Sequence, residues 1–242
     1  MNDLLRHTLG VTIVALVTLT SEAQATVNYV YDQTFLTTYS NLEMRTVGDT
    51  TDFFYAVPDL VAGGLKDYNG VAVDQPEIHI SPDSKYKGVK PDNSLQLAEQ
   101  VRTDISAALS AAGYNVQDTA GPGIIVVRLA VTDLAMEKKK RRILEYTPIG
   151  AVYKLGADAL KDFMEKVDIT NMTLQAELVD GATGRELVAL VVPRNPANIG
   201  KRIEFEDLDA LVKEYGSRLG CQLNNAKRPP EQRVDCLKPA AR

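Results

Sequence analysis

The densest grouping of chemistry-bearing side chains is a run of five cations, Lys138, Lys139, Lys140, Arg141 and Arg142, in a chain whose formal net charge is −5. Such a run can meet the phosphates of lipid head groups or an acidic protein surface. After Pro148, the residues Ile149, Val152, Leu155, Ala159, Leu160 and Phe163 approximate one helical face. A basic run followed by a loosely amphipathic segment offers a docking element for a membrane or a partner. The plainer reading is a solvated strand end followed by a helix that covers the core, since single charge runs are commonly just solvated. On the binding reading, the five cations contact an envelope protein or an anionic membrane surface.

The remaining candidates for chemistry are sparse. Cys221 and Cys236 are the only cysteines, and their spacing is not that of a C-x-x-C redox site. In an exported chain an even count reads first as a disulfide. Closing this loop contributes on the order of 3 kcal/mol in the chain-entropy model and ties the polar tail to the preceding helix. His7 and His79 are the only histidines, so a histidine-rich zinc site is excluded. A Ser-His-Asp triad would have to be built on His79, without a G-x-S-x-G to supply its serine. Its place between Ile78 and Ile80 fits a solvent-facing or satisfied strand histidine better. Asp74 with Glu77, or Asp158, Asp162 and Glu165, offer carboxylates for acid and base work, but no spacing brings a chosen pair to glycosidase distances. Gly121-Pro122-Gly123 lacks the lysine and pattern of a phosphate loop. No catalytic, cofactor-binding or metal-binding residue is assigned.

The first residues carry an address. Arg6 supplies a weakly basic opening, a mostly apolar run spans 9–19, and Ala23-Gln24-Ala25 closes it. That order predicts a secretory signal peptide over 1–25, with an uncleaved anchor as the alternative. No later apolar run reaches membrane-spanning length. The acidic balance argues against a dedicated nucleic-acid binder.

Residues 26–70 predict an irregular N-terminal extension with a short helix over 35–44. Phe53-Phe54-Tyr55 reads as aromatics plugging a sheet edge, with a binding surface as the alternative. An α+β domain follows over 71–220. Val71-Ala72-Val73 begins a strand, Pro76 interrupts it or sets it at an edge, and Ile78-His79-Ile80 resumes. Asn93 or Ser94 caps a helix whose apolar positions are Leu95, Ala98, Val101, Ile105, Ala108, Leu109 and Ala112, ended by Gly113. Strands follow at 114–117 and 124–134. Residues 167–179 alternate, with Met172, Leu174, Ala176 and Leu178 against Asn171, Thr173, Gln175 and Glu177. Two glycines in 180–184 turn the chain into a partner strand that Pro193 stops. An amphipathic helix spans 204–219. The sum is an α+β fold: a mostly antiparallel sheet with helices packed on one face. The tail 221–242 is tied by the disulfide.

The segments 35–42, 68–73, 124–133 and 176–187 resemble an uncharacterised family of bacterial envelope proteins and lipoproteins, domain-of-unknown-function family 3313. The resemblance implies an α+β periplasmic domain without a known activity. It carries over no active-site residues and no cofactor. Unlike the lipoprotein members, this chain has no cysteine just after the leader. The expectation is therefore a non-enzymatic protein, periplasmic or secreted, that binds another envelope component. The alternatives are a secreted carboxylate-dependent hydrolase and a subunit of an envelope assembly.

Overall fold

The structure, a computed structural model, describes residues 29–47, 50–61, 64–139, 163, 165–194 and 205–236. Its strands are β1 (Glu43–Val47), β2 (Thr50–Ala56), β3 (Gly70–Val73), β4 (Glu77–Ile80), β5 (Asn115–Gln117), β6 (Ile124–Lys138), β7 (Val167–Asp180) and β8 (Glu186–Arg194). The helices are α1 (Pro58–Val61), α2 (Pro91–Ala111) and α3 (Phe205–Ala226). All eight strands form one sheet in the order β1-β2-β8-β7-β6-β3-β5, with β4 beside β6.

The fold is α+β, but the sheet is mixed rather than mostly antiparallel. From β1 to β6 every neighbour is antiparallel, whereas β3 and β4 run parallel to β6 and β5 runs parallel to β3. The physical reason is the crossover. Helix α2 carries the chain from the end of β4 back to the start of β5, so the next strand resumes the same direction. Periodicity along a strand reports which face is buried and carries no information on its neighbour's direction. Asp74-Gln75-Pro76 splits one edge into β3 and β4, both paired with β6.

The stretch 26–70 is not wholly irregular: β1 and β2 lie in it and extend the sheet from β8. No helix forms over 35–44. Residues 34–41 are bends and turns, and β1 begins at Glu43. The Tyr39 hydroxyl accepts the backbone N–H groups of Phe35 (3.1 Å) and Leu36 (3.0 Å), which caps a turn in place of a helix.

Helix α2 starts earlier than its Asn93 or Ser94 caps predict. Pro91 opens it with a preset φ, and Asn93 sits inside the first turn, where its Oδ1 accepts the Lys90 N–H at 3.3 Å. Leu95 is 62% exposed, while Leu97, Ala98, Val101, Ile105 and Leu109 form the buried face. Gly113 follows the helix with φ +91°, as a left-handed cap requires. Strand β8 runs through Pro193, which stands opposite Thr173. The pairing with β2 covers Val188 to Val191, so the proline's missing N–H lies beyond it.

Helix α3 runs past Leu219 through Cys221, and the Cys221–Cys236 disulfide closes as expected. Asn225 holds the returning tail, its Nδ2 donating to Val234 O (2.7 Å) and its Oδ1 accepting from Val234 N (2.9 Å). Helices α2 and α3 pack against each other through small residues. A Cβ at Gly216 would stand 2.8 Å from Ala108 Cβ, and one at Gly220 would stand 2.5 Å from Ala112 Cβ. Glycine is needed there because any side chain would force the helices apart. The main core lies between these helices and the sheet; a smaller cluster around Phe35, Leu36, Ala189 and Val191 covers the opposite face. Among the described residues, no helix is long and apolar enough to cross a membrane.

Candidate functional site

The central strands send alternate side chains to two differently covered faces. Toward the N-terminal segment point Arg128, Thr132, Thr173, Gln175 and Glu177. Thr132, Thr173, Gln175 and Glu177 are almost fully buried, with Glu177 at 0% exposure. Burial of polar groups on this scale requires partners, and residues 32–39 supply them to Gln175 and Glu177. Gln175 Oε1 accepts from Tyr39 Oη (2.7 Å), while its Nε2 donates to Asp32 O and Thr132 Oγ1 (both 2.8 Å). Glu177 Oε1 accepts from Thr37 N at 3.1 Å, and its Oε2 pairs with Arg128. Asp32 N donates to Asp133 Oδ2 at 3.1 Å. Asp133 adopts φ +53° beside a register shift in β6. The bulge re-aims its carboxylate, as such irregularities do.

His79 belongs to the same face. Its Nε2 lies 2.8 Å from Glu77 Oε2 and its Nδ1 lies 3.4 Å from Asp32 Oδ2, so it is the satisfied strand histidine that its flanking isoleucines predict. Glu186 converges on Glu177. Burial first, then the hydrogen bond and charge of Glu177, push its carboxyl up to about 7, against the backbone N–H of Thr38. Two converging carboxyls with a raised value are what acid and base chemistry needs. Here, however, Glu177 is closed off and spends its oxygens on Arg128 and Thr37.

The other face is apolar and less complete. Leu129, Val131, Leu174, Ala176, Leu190 and Val192 line the sheet side of a cavity, roofed by Val101 and Ile105 of α2 and Val212 and Leu219 of α3. Its volume is about 100 Å³, several times the roughly 10–15 Å³ that holds one water. Leu129, Leu174, Ala176 and Leu190 remain only half-buried although they sit in the middle of the sheet.

Charged groups gather at the β1-β2-β8 end of this cavity. Arg45 of β1 stands opposite Asp52 of β2, and Arg194 ends β8. Arg194 Nη1 lies 3.5 Å from Asp52 Oδ1, an ion-pair distance without hydrogen-bond geometry, so that oxygen has no hydrogen-bond partner among the described residues. Arg194 also donates to the Tyr215 hydroxyl from α3. Arg218 pairs with Glu214 one turn earlier, and its guanidinium carbon lies 5.8 Å from the Tyr215 ring centre. The Arg45 guanidinium carbon lies 3.9 Å from the Phe54 ring centre, while its Nε has no hydrogen-bond partner among the described residues. Burial lowers the Arg45 value and raises that of Asp52, in each case against the pull of the opposite charge. Burial also pushes Tyr215 up to about 12.

The basic run stands elsewhere. Lys138 ends β6 and is exposed, and Lys139 N donates to Lys166 O at 2.9 Å. Neither lysine lines the cavity. Lys140, Arg141 and Arg142 lie outside the described residues, as do Asp158 and Asp162. The aromatic trio is committed internally. Phe53 packs at 5.5 Å from Tyr29 and 5.3 Å from Tyr31, Phe54 lies under Arg45, and Tyr55 meets both core clusters. Sequence reasoning missed Arg45, Asp52, Arg194 and Tyr215, because they come from four separate elements.

These features define an α+β domain built on one mixed sheet, with a helix-covered cavity on one face. The chain belongs to the family described as Protein of unknown function (DUF3313), whose profile matches residues 31–219. No curated protein matches it. Among solved structures, a point variant of the PelC dodecamer from Paraburkholderia phytofirmans is similar at 16% identity. The match covers 71% of this chain and 95% of that one, with a TM-score of 0.35. Another PelC dodecamer from the same organism matches at 15% identity over 71% and 95%, with a TM-score of 0.34.

Proposed function

We propose that this is a non-enzymatic protein, exported to the periplasm or beyond, that binds another component of the cell envelope. The observation that carries the reading is the cavity over β6, β7 and β8, where half-buried apolar side chains lie within the body of the protein. Leaving such surface uncovered forfeits roughly 25 cal/mol per Å², and a ligand that covers it recovers that free energy. The leader-like order of residues 1–25 supports export. The run Lys138, Lys139, Lys140, Arg141 and Arg142 is a separate candidate contact for an anionic membrane surface or an envelope protein. Against the hydrolase alternative stands Glu177, which is fully buried and whose oxygens serve Arg128 and the backbone of Thr37; Glu186 Oε2 has no hydrogen-bond partner among the described residues.

Cell fractionation combined with a photo-crosslinking side chain at position 190 tests the reading. The expected result is recovery in the periplasmic or secreted fraction, with a crosslinked envelope component that Ala176→Leu removes. Retention in the cytosol, or the same adducts from a crosslinker at exposed position 95, would contradict it.

A further inference from the structure

Among the described residues, the charges at this end of the cavity do not balance: three guanidinium groups, Arg45, Arg194 and Arg218, face two carboxylates, Asp52 and Glu214. Arg218 is matched by Glu214, and Arg194 faces Asp52. Arg45 therefore supplies the surplus positive charge, with its Nε unpartnered among the described residues. A half-buried cation without an acceptor is costly, and Phe54 compensates only through its ring face. The missing partner has the chemistry of an anion.

The apolar end makes a second demand. A cavity of about 100 Å³ lined by leucine, valine, isoleucine and alanine side chains takes hydrocarbon in preference to water. Resting on the cavity reading above, we infer that the site holds a single alkyl chain bearing an anionic head group, carboxylate or phosphate. The chain lies against Leu174, Ala176 and Leu190, and the head lies at Arg45 and Arg218. Charge complementarity selects this occupant over a neutral amphiphile, which could accept a hydrogen bond but would leave the surplus positive charge unbalanced.

Calorimetric titration of the purified protein with n-octyl phosphate and n-octyl glucoside tests the inference. A charged hydrogen bond contributes about 1.5–3 kcal/mol, so octyl phosphate should bind at least about ten-fold more tightly than octyl glucoside. Arg45→Gln should remove most of that difference, and Arg218→Gln serves as the second variant if the first does not fold. Ala176→Leu should weaken both ligands. Equal binding of the two amphiphiles by the unaltered protein would overturn the anionic head and leave the cavity reading standing. Binding of neither, or binding of both that Ala176→Leu leaves unchanged, would overturn the two together.

Discussion

In the middle of β7 two polar side chains are better sealed than their apolar neighbours. Gln175 and Glu177 are buried to 1% and 0% exposure, whereas Leu174 and Ala176, their neighbours on the opposite face, remain half-buried. The polar side is closed by residues 32–39, which answer the sheet's donors and acceptors with their backbone and the Tyr39 hydroxyl. The apolar side is roofed by α2 and α3, whose close approach at Gly216 and Gly220 fixes the roof and leaves space beneath it. One face is thus completed within the chain and is structural. The other keeps uncovered apolar surface beside a surplus cation, the combination expected of a ligand seat.

The largest effect should come from breaking the sealed face. Glu177→Leu leaves Arg128 without its carboxylate and Thr37 N without its acceptor. The loss should be about 3 kcal/mol, at the lower end for a buried pair because Arg128 is partly exposed, measured by urea unfolding. A loss below about 1 kcal/mol would mean that this network does not hold the N-terminal segment. A smaller effect is expected from the roof. Gly216→Leu drives a side chain into Ala108 and Ile105 and should cost about 1–3 kcal/mol, with altered amphiphile binding. Unchanged stability and binding would show that α2 and α3 do not define the cavity.

The smallest effect, because Glu186 is partly exposed, is a pH dependence to which the sealed face contributes. Glu186 binds its proton more tightly in the folded chain, with a value of about 7 against the ordinary 4.5. Its contribution is fully present below pH 4.5 and is lost as the pH rises toward 7. Unfolding free energy measured from pH 4.5 to pH 7.5 should therefore fall, and Glu186→Gln should flatten that slope. A Gln variant with the parent's slope would remove Glu186 as the cause.

Much of this contrast was half-legible in the sequence. The alternation over 167–179 sorted the two faces of β7 correctly, and the turn at 180–184 placed its partner strand. Yet Thr173, Gln175 and Glu177 read only as a polar face, and such a face looks the same whether water or a hydrogen-bonding segment covers it. The segment that covers it read as a helix, since nothing local announces that the Tyr39 hydroxyl takes the N–H groups of Phe35 and Leu36. The cavity's charged end was illegible for another reason. Arg45, Asp52, Arg194 and Tyr215 meet only through strand order, and the order β1-β2-β8 depends on long-range pairing. Gly216 and Gly220 did carry a signal: two small residues one turn apart on an amphipathic helix mark a close helix contact.

The distinction between a structural face and a ligand seat is tested most directly by Ala176→Leu, with thermal unfolding and octyl phosphate titration measured on the same preparation. Filling a pre-existing cavity should leave the melting temperature unchanged or raised while binding is lost. A melting temperature lowered as far as by Glu177→Leu, or binding that persists, would contradict the assignment of the cavity as the ligand seat.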